Sequence, residues 1–373
     1  MRWSIRAGRI AGIDVYLHFT FLMLLAFVAL AGWMAEGELS TAVGGLILLL
    51  VLFGIIVLHE LGHALAARRF GIRTRDITLL PIGGVARLER MPSDPRQELV
   101  VALAGPAVNV VLAGLGFVML AFATSAAVLY QTPFYAVGPL GQFIIVNVVL
   151  AAFNLLPAFP MDGGRVLRAL LALKMDYVHA TNVAAQIGQG MAVFFGVVGL
   201  FYNPFLIFIA FFIWIGASAE ASTVQMRSAL GGIPVSRAMI TEYHTLSPDD
   251  PLSRAVAHVL SGFQQDFPVV ENGDLVGILT RKQLVKDLAE QGENALVRDS
   301  MSSEFTTAEP GEMLDHVFER LSEAQNQFVP VVVNGRLIGI VTPENVGEFV
   351  MFRSALRRPR EPVAAAPYRP PTA

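Results

Sequence analysis

Four stretches of this chain run for membrane-spanning lengths without a single Asp, Glu, Lys or Arg: Val15–Ala35, Leu39–Leu58, Leu99–Met161 and Tyr177–Ala219. A helix needs about 20 apolar residues to cross the hydrocarbon core of a bilayer. The two longest stretches therefore hold two spans each, broken at Gln131-Thr132-Pro133 and at Tyr202-Asn203-Pro204. The pattern predicts about six transmembrane helices: Val15–Ala35, Thr41–Ala66, Leu99–Phe122, Val137–Leu156, Val183–Leu200 and Pro204–Ala221. Charged residues make up only 15% of the chain, against roughly 25% in a soluble domain. The expected fold begins as a polytopic α-helical membrane domain. Its first apolar stretch is too long for a signal-peptide core and reads as a retained helix.

Charge orients these spans. Arg2, Arg6 and Arg9 precede the first; Arg68, Arg69, Arg73, Arg75, Arg87, Arg90 and Arg96 lie between the second and third; Arg165, Arg168 and Lys174 lie between the fourth and fifth. The opposite loops carry only Glu36 and Glu38. The positive-inside rule then puts both termini in the cytoplasm of a multi-pass cell-membrane protein. A net charge of −3 supplies no basic field for nucleic acid. With no Cys, disulfides, thiolate metal sites and Cys nucleophiles are excluded, and any metal must sit on His and carboxylates.

Beyond about Thr223 the composition changes, and an internal repeat appears. Met239, Pro248, Pro268, Gly277 and Thr280 recur 62 positions later as Met301, Pro310, Pro330, Gly339 and Thr342. The best-matched segments are FPVVENGDLVGILT and VPVVVNGRLIGIVT. Each reads as strand, Asn-Gly turn, strand. Each follows an amphipathic helix, near Pro251–Gly262 and Met313–Gln325. Two such copies imply one pseudo-symmetric α/β unit. The tail from Arg357 is rich in Arg, Pro and Ala and reads as disordered.

The chemistry-bearing segment is His59-Glu60-Leu61-Gly62-His63, inside the second span. On a helix, His59 and His63 share a face and can hold one metal ion. Glu60 sits beside them as a candidate general base; this is the HExxH logic of zinc peptidases. The bland alternative is a polar helix end, but ionisable side chains within spans are costly and usually functional. A catalytic zinc site takes a third protein ligand. Asp162, in NLLPAFPMDGG, is the first charge after the long apolar stretch and is the leading candidate. Its alternative is a cap on a helix starting near Gly164. Asn109, in Gly105-Pro106-Ala107-Val108-Asn109, and Asn154 can each bind substrate or an oxyanion. Each can equally hydrogen-bond between helices. His18 reads as a packed side chain, and Asp14 and Glu220 as span-end residues. Ile77–Leu88 reads as a hairpin or re-entrant piece, and is a candidate edge for adding substrate as a strand.

HELGH in an apolar span, GPAVN, and a late NxxPxxPMDGG together resemble the site-2 proteases. The C-terminal repeats resemble cystathionine-β-synthase (CBS) domains. The resemblance covers nearly all of Met1–Val350. It implies one Zn²⁺ per chain held by His59, His63 and Asp162, with Glu60 as catalytic base. It also implies a transmembrane protein substrate cut within or near the bilayer. The expected organisation is a transmembrane protease domain at 1–225, CBS domains at 232–290 and 295–352, and a disordered tail at 353–373.

CBS pairs commonly bind adenine nucleotide through Gly-x-x-Thr-x-x-Asp segments, and the resemblance suggests regulation of this kind, or pairing of two copies as a homodimer. Here the segments hold Thr280 with Gln283 and Thr342 with Asn345; both lack the Asp. Two other classes stay open: a CBS-gated transporter, which needs an inverted repeat that the chain does not show, and a catalytically inactive substrate-binding homologue.

Overall fold

The fold is described by a computed structural model of the chain. It covers residues 3–89, 92, 94–123, 138–324 and 328–357. The expected break at Gln131-Thr132-Pro133 and the tail beyond Arg357 lie outside the described residues. The chain divides into two compact units, Met1–Val224 and Gln225–Ala373.

The first unit opens with strands β1 (Ser4–Ile10) and β2 (Ile13–His18), followed by helices α1 (Phe19–Glu36) and α2 (Leu39–Arg69). Strands β3 (Thr74–Leu80) and β4 (Gly83–Leu88) lead to α3 (Pro95–Ala123), α4 (Gly138–Asn154), α5 (Asp162–Ala172), α6 (Tyr177–Phe201) and α7 (Phe205–Leu230). Among the described residues, four helices are long and apolar enough to cross a membrane: α2, α3, α6 and α7. Helices α1 and α4 are apolar but shorter. In hydrocarbon every backbone polar group must be satisfied within the chain, and these runs do so as continuous helices. Large apolar side chains such as Phe27, Val110, Phe194 and Phe208 stand outward, as lipid-facing positions do.

The sequence reading started the first span at Val15. The structure instead gives Val15–His18 to β2 and begins the helix at Phe19, where the His18 side chain accepts from the Thr20 N–H. Val15-Tyr16-Leu17-His18 is too short an alternation to stand out at the head of an apolar run. These strands build a sheet of order β1-β2-β3-β4. β2 and β3 are parallel, with Val15 opposite Ile77; the outer pairs are antiparallel. Ile77–Leu88 is thus a hairpin, but only its second strand lies at an edge. Ile13, Ile77 and Leu79 pack on Phe21, Phe53, Val57 and Leu61 of α1 and α2. That core holds β4 beside the HELGH turn. Gly84 of β4 makes the approach possible, since a Cβ there would come within 3.0 Å of the Glu60 side chain.

The second unit contains α8 (Leu252–Ser261), β5 (Phe267–Glu271), β6 (Asp274–Leu279), α9 (Arg281–Gln291), α10 (Val297–Ser300), α11 (Leu314–Ala324), β7 (Val329–Val333), β8 (Arg336–Val341) and α12 (Pro343–Arg357). Its sheet has order β5-β6-β8-β7. Both hairpins turn on Asn-Gly with positive φ at both residues, as a type I′ turn requires.

The repeat is visible in the cores. Leu246, Leu252, Ala255, Phe267, Val269, Leu279 and Leu284 form one. Ala308, Leu314, Val317, Val329, Val331, Val341 and Val346, each 62 positions on, form the other. The exception is informative. Val297, which opens the second copy, packs in the first core, and Val235, which opens the first, packs in the second. Each copy therefore completes the other, and the pair is one folding unit.

Candidate metal centre

His59 and His63 lie one turn apart on α2, both 6% exposed. Asp162 is the first residue of α5 and 8% exposed. The cap of α5 is Met161, without a side-chain cap bond, so Asp162 is not spent on capping. The irregular segment Leu155–Met161 leads into α5 and delivers the carboxylate to the two imidazoles. Gly163 lies where any Cβ would collide with the Leu155 and Leu156 backbone. His59 Nε2, His63 Nε2 and Asp162 Oδ2 form a triangle with every side 3.1 Å. It is a His/Asp group of metal-binding geometry among the described residues.

The outer partners decide what these atoms can hold. His63 Nδ1 lies 2.7 Å from the Val101 carbonyl, which can only accept, so Nδ1 carries the hydrogen. His59 Nδ1 lies 2.5 Å from Asn109 Oδ1. In their neutral form both rings then leave the Nε2 lone pairs bare, and the carboxylate oxygen adds a third. Three converging lone pairs need a cation between them. A tetrahedral zinc ion with ligands at about 2.0–2.1 Å holds them about 3.3 Å apart, close to the triangle seen. The donor set fits zinc, with ring N–H groups held by outer partners as metal-bound His usually are.

Glu60 is not among the three donors. Its Oε2 accepts from the Ala86 N–H of β4 at 3.3 Å. Asn109 is fully buried and sits against His59; its amide also donates to Asn147 Oδ1 at 3.1 Å. Asn154 is not drawn into the triangle; its amide donates to Leu150 O within its own helix. His18 caps α1.

Two features had no sequence signal of function. Asn147 is a fully buried amide in the middle of an apolar helix. By sequence position Arg168 is a cytoplasmic loop charge and Glu220 a span-end residue. In fact Arg168 is fully buried. Its guanidinium donates to Glu98 Oε1 at 2.8 and 2.5 Å and to Glu220 Oε1 at 2.5 Å. It also lies over the rings of Phe159 and Tyr177. This cluster ties α5, and with it Asp162, to α3, α6 and α7.

In the second unit Thr280 and Thr342 cap α9 and α12, accepting from the Gln283 and Asn345 N–H groups. The Gln283 amide donates to Asp287. Thr342 and Asn345 line a cavity of about 590 Å³ with Tyr243, Phe328, Glu242, Asp266, Glu344 and Glu348. Thr280 and Gln283 line a second, of about 310 Å³, with Asp299 and Ser300. Asn345 Oδ1 is buried without a hydrogen-bond partner. Burial pushes the Asp266 carboxyl above its ordinary pKa, opposed by the Arg281 backbone N–H that it accepts.

The chain is similar to known proteins over nearly its whole length. Residues 47–138 and 135–195 match the model of peptidase family M50, and residues 235–290 and 297–350 match that of the CBS domain. A zinc metalloprotease of Methanocaldococcus jannaschii is 31% identical over 347 residues, covering 93% of this chain and 96% of the relative. Rip3 of Mycobacterium tuberculosis is 31% identical over 392 residues, covering 96% of each. Among solved structures, a site-2 protease from M. jannaschii aligns with 59% of this chain and 95% of its own, at 37% identity and a TM-score of 0.43. The chain belongs to peptidase family M50, the site-2 protease family of membrane zinc metalloproteases, and carries a pair of CBS domains.

Proposed function

We propose that the chain cuts transmembrane segments of membrane-bound proteins, with one zinc ion held by His59, His63 and Asp162 and with Glu60 as general base. The observation that carries this is the triangle of His59 Nε2, His63 Nε2 and Asp162 Oδ2, with each ring's Nδ1 facing an outer acceptor. Bound there, zinc supplies Lewis acidity toward water and toward the scissile carbonyl. Glu60 takes the proton of the attacking water at its carboxylate and passes it to the leaving amine nitrogen. In this reading Asn109 orients His59 through its contact with Nδ1. Treating the purified chain with 1,10-phenanthroline should abolish cleavage, and Zn²⁺ should restore it. Cleavage that survives a metal-free preparation would refute the assignment.

A peptide bond inside a helix is poorly exposed to attack. Edge strand β4 offers a way to open it. The Ala86 N–H points away from β3 toward Glu60, so a substrate strand added along Gly83–Leu88 would run beside the base. Ala86→Pro removes that outward donor while leaving the β3 ladder intact. It should raise KM more than tenfold, with kcat falling less than KM rises. Unchanged KM would sink the edge-strand proposal.

The four long helices, with α1 and α4 as shorter fifth and sixth spans, support a six-span topology. At about 1.5 Å per residue, the 18 residues of α1 and 17 of α4 nearly match the hydrocarbon thickness. The Arg-rich segments flanking the spans, Arg168 apart, support a cytoplasmic location for both termini and for the CBS pair at 232–290 and 295–352. Because the chain has no Cys, single introduced cysteines would read sidedness directly.

The CBS pair is proposed to regulate cleavage through the larger cavity, by binding an adenosine compound. Four carboxylates and no Lys or Arg line that cavity, which disfavours phosphate. The proposed ligand is therefore a neutral or cationic nucleoside rather than the nucleotide expected from sequence. Calorimetry on the full chain should show adenosine binding at least tenfold more tightly than AMP or ATP; the reverse order would exclude this ligand class. Leu260 and Phe263, both exposed, are candidates for the contact if two copies pair through this unit.

A further inference from the structure

Two metal-binding imidazoles must each be locked in one tautomer, and in this chain the locks differ in kind. His63 is fixed by a backbone carbonyl, Val101 O, which no side-chain substitution removes. His59 is fixed by a side-chain amide, and an amide can turn over. Asn109 presents Oδ1 to His59 Nδ1 only if something prevents the amide from flipping.

The chain of hydrogen bonds supplies that something. The Phe143 carbonyl can only accept, so the group of Asn147 facing it at 2.9 Å is the amide N–H. Asn147 therefore turns Oδ1 toward Asn109. That oxygen accepts, so the Asn109 atom 3.1 Å away is Nδ2. Asn109 Oδ1 is thereby turned to His59 Nδ1, 2.5 Å away, and must receive its hydrogen. His59 Nε2 is left bare toward His63 and Asp162. Polarity propagates from a backbone carbonyl of α4 through two side chains to a ligand atom on α2. Asn109 and Asn147 are both fully buried, so water does not compete for either amide.

We propose that Asn147, which touches no metal ligand, is a positioning residue that sets the tautomer of His59 through Asn109. The proposal rests on the zinc assignment above. Without the Asn147 oxygen, the Asn109 amide is free to present its NH₂ to His59. The ring then keeps its hydrogen on Nε2 and cannot bind metal there.

The test uses the polarity of the relay. Asn147→Leu removes both polar groups while keeping a branched side chain with the same number of heavy atoms. Asn147→Asp keeps an oxygen facing Asn109, and in this apolar setting its protonated O–H replaces the donor to Phe143. Zinc affinity of the purified full chain in detergent would be measured by competition with a chromophoric chelator. The thermal midpoint in excess EDTA would report packing separately. N147L should bind zinc about 10–100-fold more weakly, the range typical for loss of an outer partner. N147D should stay within about threefold of wild type. If N147L does not fold, Asn147→Ala carries the same test without added bulk. Wild-type affinity in the apolar variant overturns the relay, as does equal loss in N147D and N147L, which would mark a packing role. A wild-type chain that takes up no zinc overturns the metal assignment itself, a result distinct from either.

Discussion

Replacing Glu60 by Gln is expected to lower kcat by about 10³-fold while leaving bound zinc at the wild-type stoichiometry. The two halves of this expectation have separate structural grounds. Glu60 is next to His59 but outside the donor triangle, so its charge is not needed to hold the ion. Gln is close in shape and its amide oxygen can still accept from the Ala86 N–H, as Oε2 does at 3.3 Å. The site should therefore keep its form. What Gln cannot do is take a proton from water. General-base catalysis typically contributes 10²–10⁴-fold, and the residual rate measures what the ion and substrate positioning supply alone. Single-turnover cleavage of a labelled transmembrane substrate in detergent, paired with metal analysis, checks both halves. Full activity in E60Q would remove Glu60 from the mechanism. Loss of zinc would show that it helps to hold the metal. A transporter or an inactive binding protein would lose little by this change.

The HELGH half of the candidate site is legible because its spacing has a physical meaning. Two His four residues apart share a helix face, and ionisable groups in a span are seldom idle. Asp162 is legible as a candidate ligand, the first charge after a long uncharged stretch, and the family resemblance strengthens that reading. From position alone a helix cap is an equal alternative, and the structure gives the cap position of α5 to Met161. Other features are hidden for identifiable reasons. Strands β1 and β2 carry too few residues for alternation to show beside an apolar helix. Arg168 counts as a loop charge when position alone is considered, because nothing local reveals that Glu98 and Glu220 meet it from 70 and 52 residues away. Asn147 has the same difficulty, since an amide in an apolar helix looks alike whether it faces another helix or orients a metal ligand. The repeat was readable at its hairpins, while the exchange of Val235 and Val297 between cores was not. In each case the missing information is the identity of a distant partner.

Gly105→Ala, the addition of one methyl group, is expected to abolish stoichiometric zinc binding and cleavage together. Gly105 lies on α3 directly against the donor triangle. A Cβ built there would lie 2.6 Å from His59 Nε2 and closer still to His63 Nε2. Relief by moving the imidazoles is blocked by the way they are held. His59 Nδ1 is anchored to Asn109 and His63 Nδ1 to Val101 O, and both partners belong to α3, the helix that would carry the new methyl. The rings are thus pinned against the surface that must repel them. Sliding α3 away is opposed by Gly62 of α2, whose missing Cβ lets it pack on Ala104 O. Relaxing an overpacked core typically costs about 1–3 kcal/mol. A helix shift of that order should leave the fold standing while opening the triangle beyond zinc-binding distance. Metal analysis after dialysis against a weak chelator, alongside circular dichroism, separates these two effects. A folded G105A chain that keeps one tightly bound zinc would mean that the rings can retreat without losing their outer partners, and would contradict the close approach of α2 and α3 on which the site geometry depends.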